Sequence, residues 1–216
     1  MTPSAAAYAS SPIDRGRTPW RSAHFCVVDL ELTGLDARED EVISFAAVPV
    51  DAGRVVVGAT VAGLCRPTRP VPESTVLVHG LRSVDVAEAP ELAEAVQPLL
   101  AAMTGRVMVA HEAWVERGFL TRALRAQGVR FRGPAIDTYQ LARLWAGLAD
   151  RPDPPRDLGA LAASLGLPSH RPHDAVGDAL TTAQVFVALA TLLEARTRET
   201  VTSLANARRR ASFEAR

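Results

Sequence analysis

The sequence predicts an α/β protein with a mixed central sheet and helices on both of its faces. Three observations predict it. Residues 25–30 form an apolar run with strand composition. Residues 42–63 read as two strands folded back on a turn at Asp51-Ala52-Gly53, and such a hairpin makes the sheet mixed and not wholly parallel. From residue 106 onward, short apolar strands alternate with stretches of helical periodicity.

The elements follow in order. Residues 1–22 are rich in Ser, Ala, Pro and Arg and are expected to form a poorly ordered tail. Phe25-Cys26-Val27-Val28-Asp29-Leu30 is the first strand, and Val42 to Val50 and Arg54 to Gly63 are the hairpin. Pro67, Pro70 and Pro72 force a loop. Pro90 to Met103 has helical spacing at Leu92, Val96, Leu99 and Leu100, despite Pro98. Arg106 to Ala110 is a short strand. Ala113 to Gln127 is a helix with Val115, Phe119, Leu120, Ala123 and Leu124 on its inner stripe, and Gly128 ends it. Ala135-Ile136-Asp137 is the last strand, and Thr138 to Leu148 is helical. The prolines between Asp150 and Arg156 break the chain. Asp157 caps a short helix ending at Gly166, and Asp174 caps a long one reaching about Thr197. The folded domain is expected over residues 23–197, with 198–216 as a basic tail around Arg208-Arg209-Arg210.

Bulk composition narrows the function classes. A chain of 216 residues, 48% apolar and 22% charged, suits one soluble domain with a full core. Its 24 basic and 24 acidic residues cancel, so it lacks the broad positive footprint of a duplex-coating protein, although a local basic rim remains open to it. Every basic residue is Arg. Lys is missing everywhere, which points to base composition of the coding sequence and not to phosphate recognition. Cys26 and Cys65 lie in apolar segments without metal spacing and read as reduced core thiols, consistent with a cytoplasmic protein. The first residues have no basic n-region and no apolar h-region, and no continuous apolar run approaches the ~18 residues of a spanning helix. No membrane association is expected.

Three clusters carry the chemistry. Alternation along a strand puts Phe25, Val27, Asp29 and Glu31 on one face, so both carboxylates leave the strand's carboxyl end together. That end is where ligands bind in open α/β sheets. Alone, Asp-x-Glu also describes a strand emerging into solvent. In Ala110-His111-Glu112-Ala113-Trp114-Val115-Glu116, Glu116 borders the buried stripe of its helix, where an unpaired charge is disfavoured. A solvated partner of Arg117 or Arg122 is the alternative. His111-Glu112 is not a zinc-protease motif, since Val115 stands where the second His would be. In His173-Asp174-Ala175-Val176-Gly177-Asp178, Asp174 caps the helix, and His173 on the preceding loop can converge with Asp178. His170 is read as a surface residue.

These three motifs, in this order and spacing, resemble those of the DEDDh 3′–5′ exonucleases, over about residues 24–195. Val78-His79-Gly80-Leu81 and Ile136-Asp137-Thr138 resemble accessory segments of that family. The resemblance implies an RNase H-like exonuclease fold and a metal-dependent 3′–5′ exonuclease releasing nucleoside 5′-monophosphates. It implies two divalent cations, Mg²⁺ or Mn²⁺, held by Asp29, Glu31, Glu116 and Asp178, with His173 taking a proton from the attacking water. Four carboxylates bring about −4 and two such cations about +4. Leu32, Thr33 and Gly34 would hold the terminal sugar, and Leu32 and Leu35 would pack on terminal bases, with Trp114 either joining them or lying in the core. His111 would line the pocket, His79 either lines it or serves the turn with Gly80, and Arg82, Arg117 and Arg171 are candidates for a phosphate-facing rim. The expected partners are 3′ ends of single-stranded DNA or RNA, DNA being favoured, with a DNA polymerase as a candidate partner. Nothing in the sequence fixes an oligomeric state. The chain departs from the family pattern at Glu112, where Asn is usual, and at Glu116, where Asp is usual; Glu reaches about 1.5 Å further. The alternative implied by Glu116 is a nucleic-acid-binding or polymerase-associated module that kept the fold and lost efficient chemistry.

Overall fold

A computed structural model describes residues 2–214. The chain opens with helix α1 (Pro3–Ser10). Strands β1 (His24–Leu32), β2 (Val42–Asp51), β3 (Arg54–Val55) and β4 (Val61–Leu64) follow. Short helices α2 (Glu73–His79), α3 (Ser83–Val86), α4 (Leu92–Ala95) and α5 (Gln97–Met103) lead to β5 (Val107–Ala110). Then come α6 (Trp114–Ala126), β6 (Ala135–Asp137), α7 (Thr138–Leu148), α8 (Leu158–Ser164), α9 (Ala175–Glu194), α10 (Val201–Ala205) and α11 (Ala207–Glu214).

The sheet runs β3-β2-β1-β5-β6, with β4 also paired to β2. β1 and β2 are antiparallel, while β1–β5 and β5–β6 are parallel, so the sheet is mixed as expected. One face of β1, carrying Phe25 and Val27, packs with Leu141, Phe186 and Leu189 of α7 and α9. The opposite face, carrying Cys26, Val28 and Leu30, packs with Leu100, Phe119 and Leu124 of α5 and α6. Helices therefore cover both faces. Helix α9 is long and apolar enough by composition to cross a membrane. Its apolarity is accounted for by burial, since Ala179, Ala183, Phe186 and Leu189 lie against the sheet in the core.

Several expected elements differ. The hairpin's return leg is not one strand. Val50 pairs with Val55 and Ala47 with Val61, so three steps along β2 answer six on the return leg. The surplus loops out as a 3₁₀ turn at Val57–Ala59. The helix around Pro98 splits into α4 and α5, because Pro98 cannot donate to the turn before it and is tolerated only in the first turn of α5.

Both terminal segments are part of the fold, contrary to the expectation of loose tails. Tyr8 and Trp20 are fully buried, and the Trp20 ring meets Phe186 edge-on at 6.2 Å between centroids. Arg132 donates to the carbonyls of Tyr8, Ala9 and Ser11, satisfying the carbonyl end of α1. At the other terminus, Glu199 is buried and accepts from both terminal nitrogens of Arg210 on α11 at 2.8 Å. The Trp20 amide donates to the Glu199 carbonyl, which ties the two ends together. Two large aromatics in a Ser/Ala/Pro-rich stretch were the available signal, and composition alone outweighed them.

Candidate active site

The site lies where the strands run out. Val27 stands beside Val109, so β5 ends at Ala110 while β1 continues to Leu32. Asp29 and Glu31 thus extend past their parallel neighbour on one side. Helix α6 starts just beyond that gap, and its first turn brings in Glu116. The first turn of α9 brings in Asp178. One carboxylate oxygen each from Asp29, Glu31 and Asp178 lies within 4.8 Å of the others. Glu116 stands outside that group of three. It is fully buried, and its Oε2 has no hydrogen-bond partner.

The electrostatics are those of an uncompensated acidic pocket. Burial pushes the Asp29 carboxyl well above its ordinary range, and Glu116, Glu31 and Asp178 push it further. Burial, with Asp178 and Asp174, raises Glu31 to about 7. Burial raises Glu116 to about 8, with Asp137, Glu112 and Glu31 adding and its own backbone amide opposing. Asp178 is raised by burial, against the His173 amide and ring, which favour its charged form. Among the described residues, no Arg or His forms an ion pair with any of these four acids. An all-oxygen donor set with an orphaned buried carboxylate oxygen fits a hard divalent cation such as Mg²⁺ or Mn²⁺.

His173 sits on the loop before α9 in a left-handed conformation (φ 61°) and is exposed. Its amide donates to Asp178 Oδ2 at 2.9 Å. Asp174 caps α9 by accepting from the Gly177 amide at 3.0 Å. Gly177 has no room for a side chain: a Cβ there would come within 2.3 Å of the His170 carbonyl oxygen. The loop bearing His173 is therefore pressed onto the helix. His170, expected at the surface, is half-buried, and its Nε2 faces Gln184 Nε2 at 3.0 Å.

The other expected contacts divide. His79 lies near the Leu32 backbone and His173, and its Nδ1 accepts from the Leu81 amide at 3.1 Å. Burial lowers its imidazole from the ordinary value, with His173 adding and the Leu32 backbone opposing. Leu32 is buried beside it. Trp114 is 57% exposed and not part of the core. Thr33 spends its hydroxyl within its own loop, donating to Asp40 Oδ1 and accepting from the Glu41 amide. A Cβ at Gly34 would meet Asp40 Oδ2 at 2.4 Å, so the glycine serves the approach of Asp40. His111 is a tie between elements. Its Nε2 donates to the Arg156 carbonyl at 2.7 Å, which leaves Nδ1 to accept from the Thr138 hydroxyl at 2.9 Å. Arg82 is held by Asp85 and so is not a free phosphate contact.

Two features escaped the sequence reading of the site. Asp137 caps α7, accepting from the Tyr139 and Gln140 amides, and stands close enough to Glu116 to raise it. Asp at the end of a strand and the start of a helix was its visible signal. Glu112, left-handed at φ 59°, pairs with Arg156 on the proline-rich loop. That pairing spans distant residues and has no local signal.

The family model described as "Exonuclease" matches residues 26–186. A "DNA polymerase III subunit epsilon-like protein" of Rhodobacter capsulatus is 36% identical over 83% of the chain. The DNA polymerase III subunit epsilon of Aquifex aeolicus is 28% identical over 76% of the chain and 78% of its own length. The chain spans only 25% of the Rhodobacter relative, and 12% of the PolC-type polymerases matched next. Among solved structures, exonuclease X in complex with 5′ overhanging duplex DNA superposes with a TM-score of 0.66 at 22% identity, over 85% of this chain and 99% of that one. The fold is thus the RNase H-like exonuclease fold that the motifs led one to expect.

Proposed function

The chain belongs to the exonuclease family, and on that premise we propose that it removes nucleotides one at a time from the 3′ end of single-stranded nucleic acid, releasing nucleoside 5′-monophosphates. The observation that carries this reading is the convergence of Asp29, Glu31 and Asp178, with their carboxyls held above their ordinary range and, among the described residues, no ion pair to neutralise them.

Asp29, Glu31 and Asp178 would hold a divalent cation, and Glu116 would support a second from the far side of the strand gap. Bound there, such cations supply charge to activate water and to stabilise the leaving oxygen. His173 takes the proton of the attacking water on a ring nitrogen, and its main-chain bond to Asp178 keeps the imidazole at the rim of the acidic group. Leu32 and Trp114 offer apolar surface to the terminal bases. DNA is the favoured substrate, because the relatives named above are subunits of DNA polymerases; a polymerase is the corresponding partner.

The second reading, a binding module with weakened chemistry, rests on Glu116 standing outside the group of three. Incubation of a labelled single strand with the protein and Mn²⁺ separates the two. Stepwise release of mononucleotides that disappears in Asp29→Ala supports the exonuclease. Retention of the strand without release, in Mn²⁺ as in Mg²⁺, supports the binding module. Matched DNA and RNA strands in the same assay measure the sugar preference.

A further inference from the structure

Beyond the acidic pocket, the outer face of α6 carries positive charge that forms no ion pair among the described residues. Trp114, Arg117, Thr121 and Arg125 recur at three- and four-residue spacing and form one row along the helix. Two shallow depressions meet at Arg117. One is lined by Trp114, Asp137 and Arg208, and its Asp137 is close enough to Glu116 to raise that carboxyl. The other is lined by Arg125, Arg130 and Phe131. The Arg117 guanidinium lies 5.5 Å from the centre of the Phe131 ring. All four arginines are exposed, and among the described residues none forms an ion pair. The acid in the row's path, Asp137, is already held by backbone amides. In a chain whose formal charges balance, this is a local excess.

We propose that this groove is a track for single-stranded nucleic acid, holding the part of the strand that lies 5′ to the end seated at the carboxylates. The proposal rests on the nuclease reading above and extends its site. The exposed Trp114 ring opens the row and the half-buried Phe131 ring lies against Arg117, so arginines that grip phosphates stand beside a ring that stacks bases without regard to sequence. From Trp114 to Arg125 the helix rises about 16 Å, and at about 3.4 Å per phosphate of a stacked strand this spans roughly four to five nucleotides. An acidic protein partner would not need the exposed Trp114 ring at one end of the arginine row.

The test uses the full chain in a chelating buffer, so that no strand is cut, and reads binding by fluorescence anisotropy. The probes are a labelled dinucleotide and an oligonucleotide of about twelve residues; the variant is Arg125→Ala combined with Arg130→Ala, two exposed positions, and its melting temperature is measured alongside to show that the fold is kept. The longer probe is expected to bind about tenfold more weakly to the variant, and its logarithmic salt dependence to fall by about 1.4, two contacts at ~0.7 each. The dinucleotide, too short to reach Arg125, loses far less. Equal losses for both lengths, or an unchanged salt dependence, overturn the track; the second result leaves the basic face to an acidic protein. A wild-type protein that shows the length dependence but releases no nucleotide in Mn²⁺ overturns the exonuclease reading alone.

Discussion

The main-chain amide of His173 donates to the carboxylate of Asp178 at 2.9 Å, joining a loop residue to the first turn of the helix that follows it. Five residues apart on a continuous helix, the two would diverge. The left-handed turn at His173 brings them together, and the fit of Gly177 beneath the His170 and Arg171 carbonyls sets how closely.

That fit makes Gly177 a positioning residue. Gly177→Ala places a methyl within 2.3 Å of one carbonyl oxygen and 2.5 Å of the next, so the loop must lift and His173 moves with it. A displacement of about 1 Å at a reacting group costs on the order of a hundredfold in rate. The expected result is a fall in kcat of that order on a labelled single strand, with KM changed less. A variant with the wild-type kcat shows that the loop does not position the reaction.

The raised carboxyls fix the sign of a pH effect on the metal-free protein. Glu116 and Glu31 titrate at about 8 and about 7 in the fold, against about 4.3 for Glu in an unfolded chain. Between those values the folded state holds more protons, so stability falls as pH rises. The contribution is fully present below about pH 4.3 and lost by about pH 8. Chelated protein should therefore lose more melting temperature between pH 5 and pH 8 than its Glu116→Gln variant, measured by calorimetry. Mn²⁺ should raise the midpoint more at pH 8 than at pH 5, since cations and protons compete for the same oxygens. Parallel curves for the two proteins contradict the buried setting of Glu116.

Glu199 tests whether the carboxyl-terminal segment belongs to the fold. Burial alone would raise its carboxyl; hydrogen bonds from Arg210, Ser203 and Thr197 pull it below the usual value. Glu199→Ala strands Arg210 and should cost about 3–5 kcal/mol. At ~2–4 °C per kcal/mol for a chain of this size, the midpoint should drop by roughly 6–20 °C in a thermal scan. A shift under about 2 °C would mean that the segment is not docked.

His111 and Arg156 separate a structural tie from a surface pair. His111→Ala removes a ring that joins the start of α7 to the proline-rich loop through both nitrogens, and should cost about 1–3 kcal/mol. Arg156→Ala removes an exposed partner of Glu112 and should cost under about 1 kcal/mol. Denaturant titrations of the two variants check the order. The reverse order contradicts the tie.

Much of the acidic cluster was legible because its parts are local. Alternation put Asp29 and Glu31 on one face of β1, the Asp174 cap marked the start of α9, and the stripe of Phe119 and Leu120 put Glu116 at the edge of a buried surface. What local pattern does not show is the partner of each side chain. Thr33 and Gly34 are explained by Asp40, His111 by Arg156, and Tyr8 by Arg132. No window of sequence contains both members of the longer pairs.

Periodicity, caps and breakers are properties of neighbouring residues, so the order of strands and helices, the mixed sheet and the three acidic motifs could be read directly from the chain. Which acids meet was settled only in three dimensions. β5 stops short of β1, and the gap lets α6 bring Glu116 from the opposite face to the edge of the group formed by Asp29, Glu31 and Asp178. Strand length and packing angle set that distance, and they emerge from the whole core together.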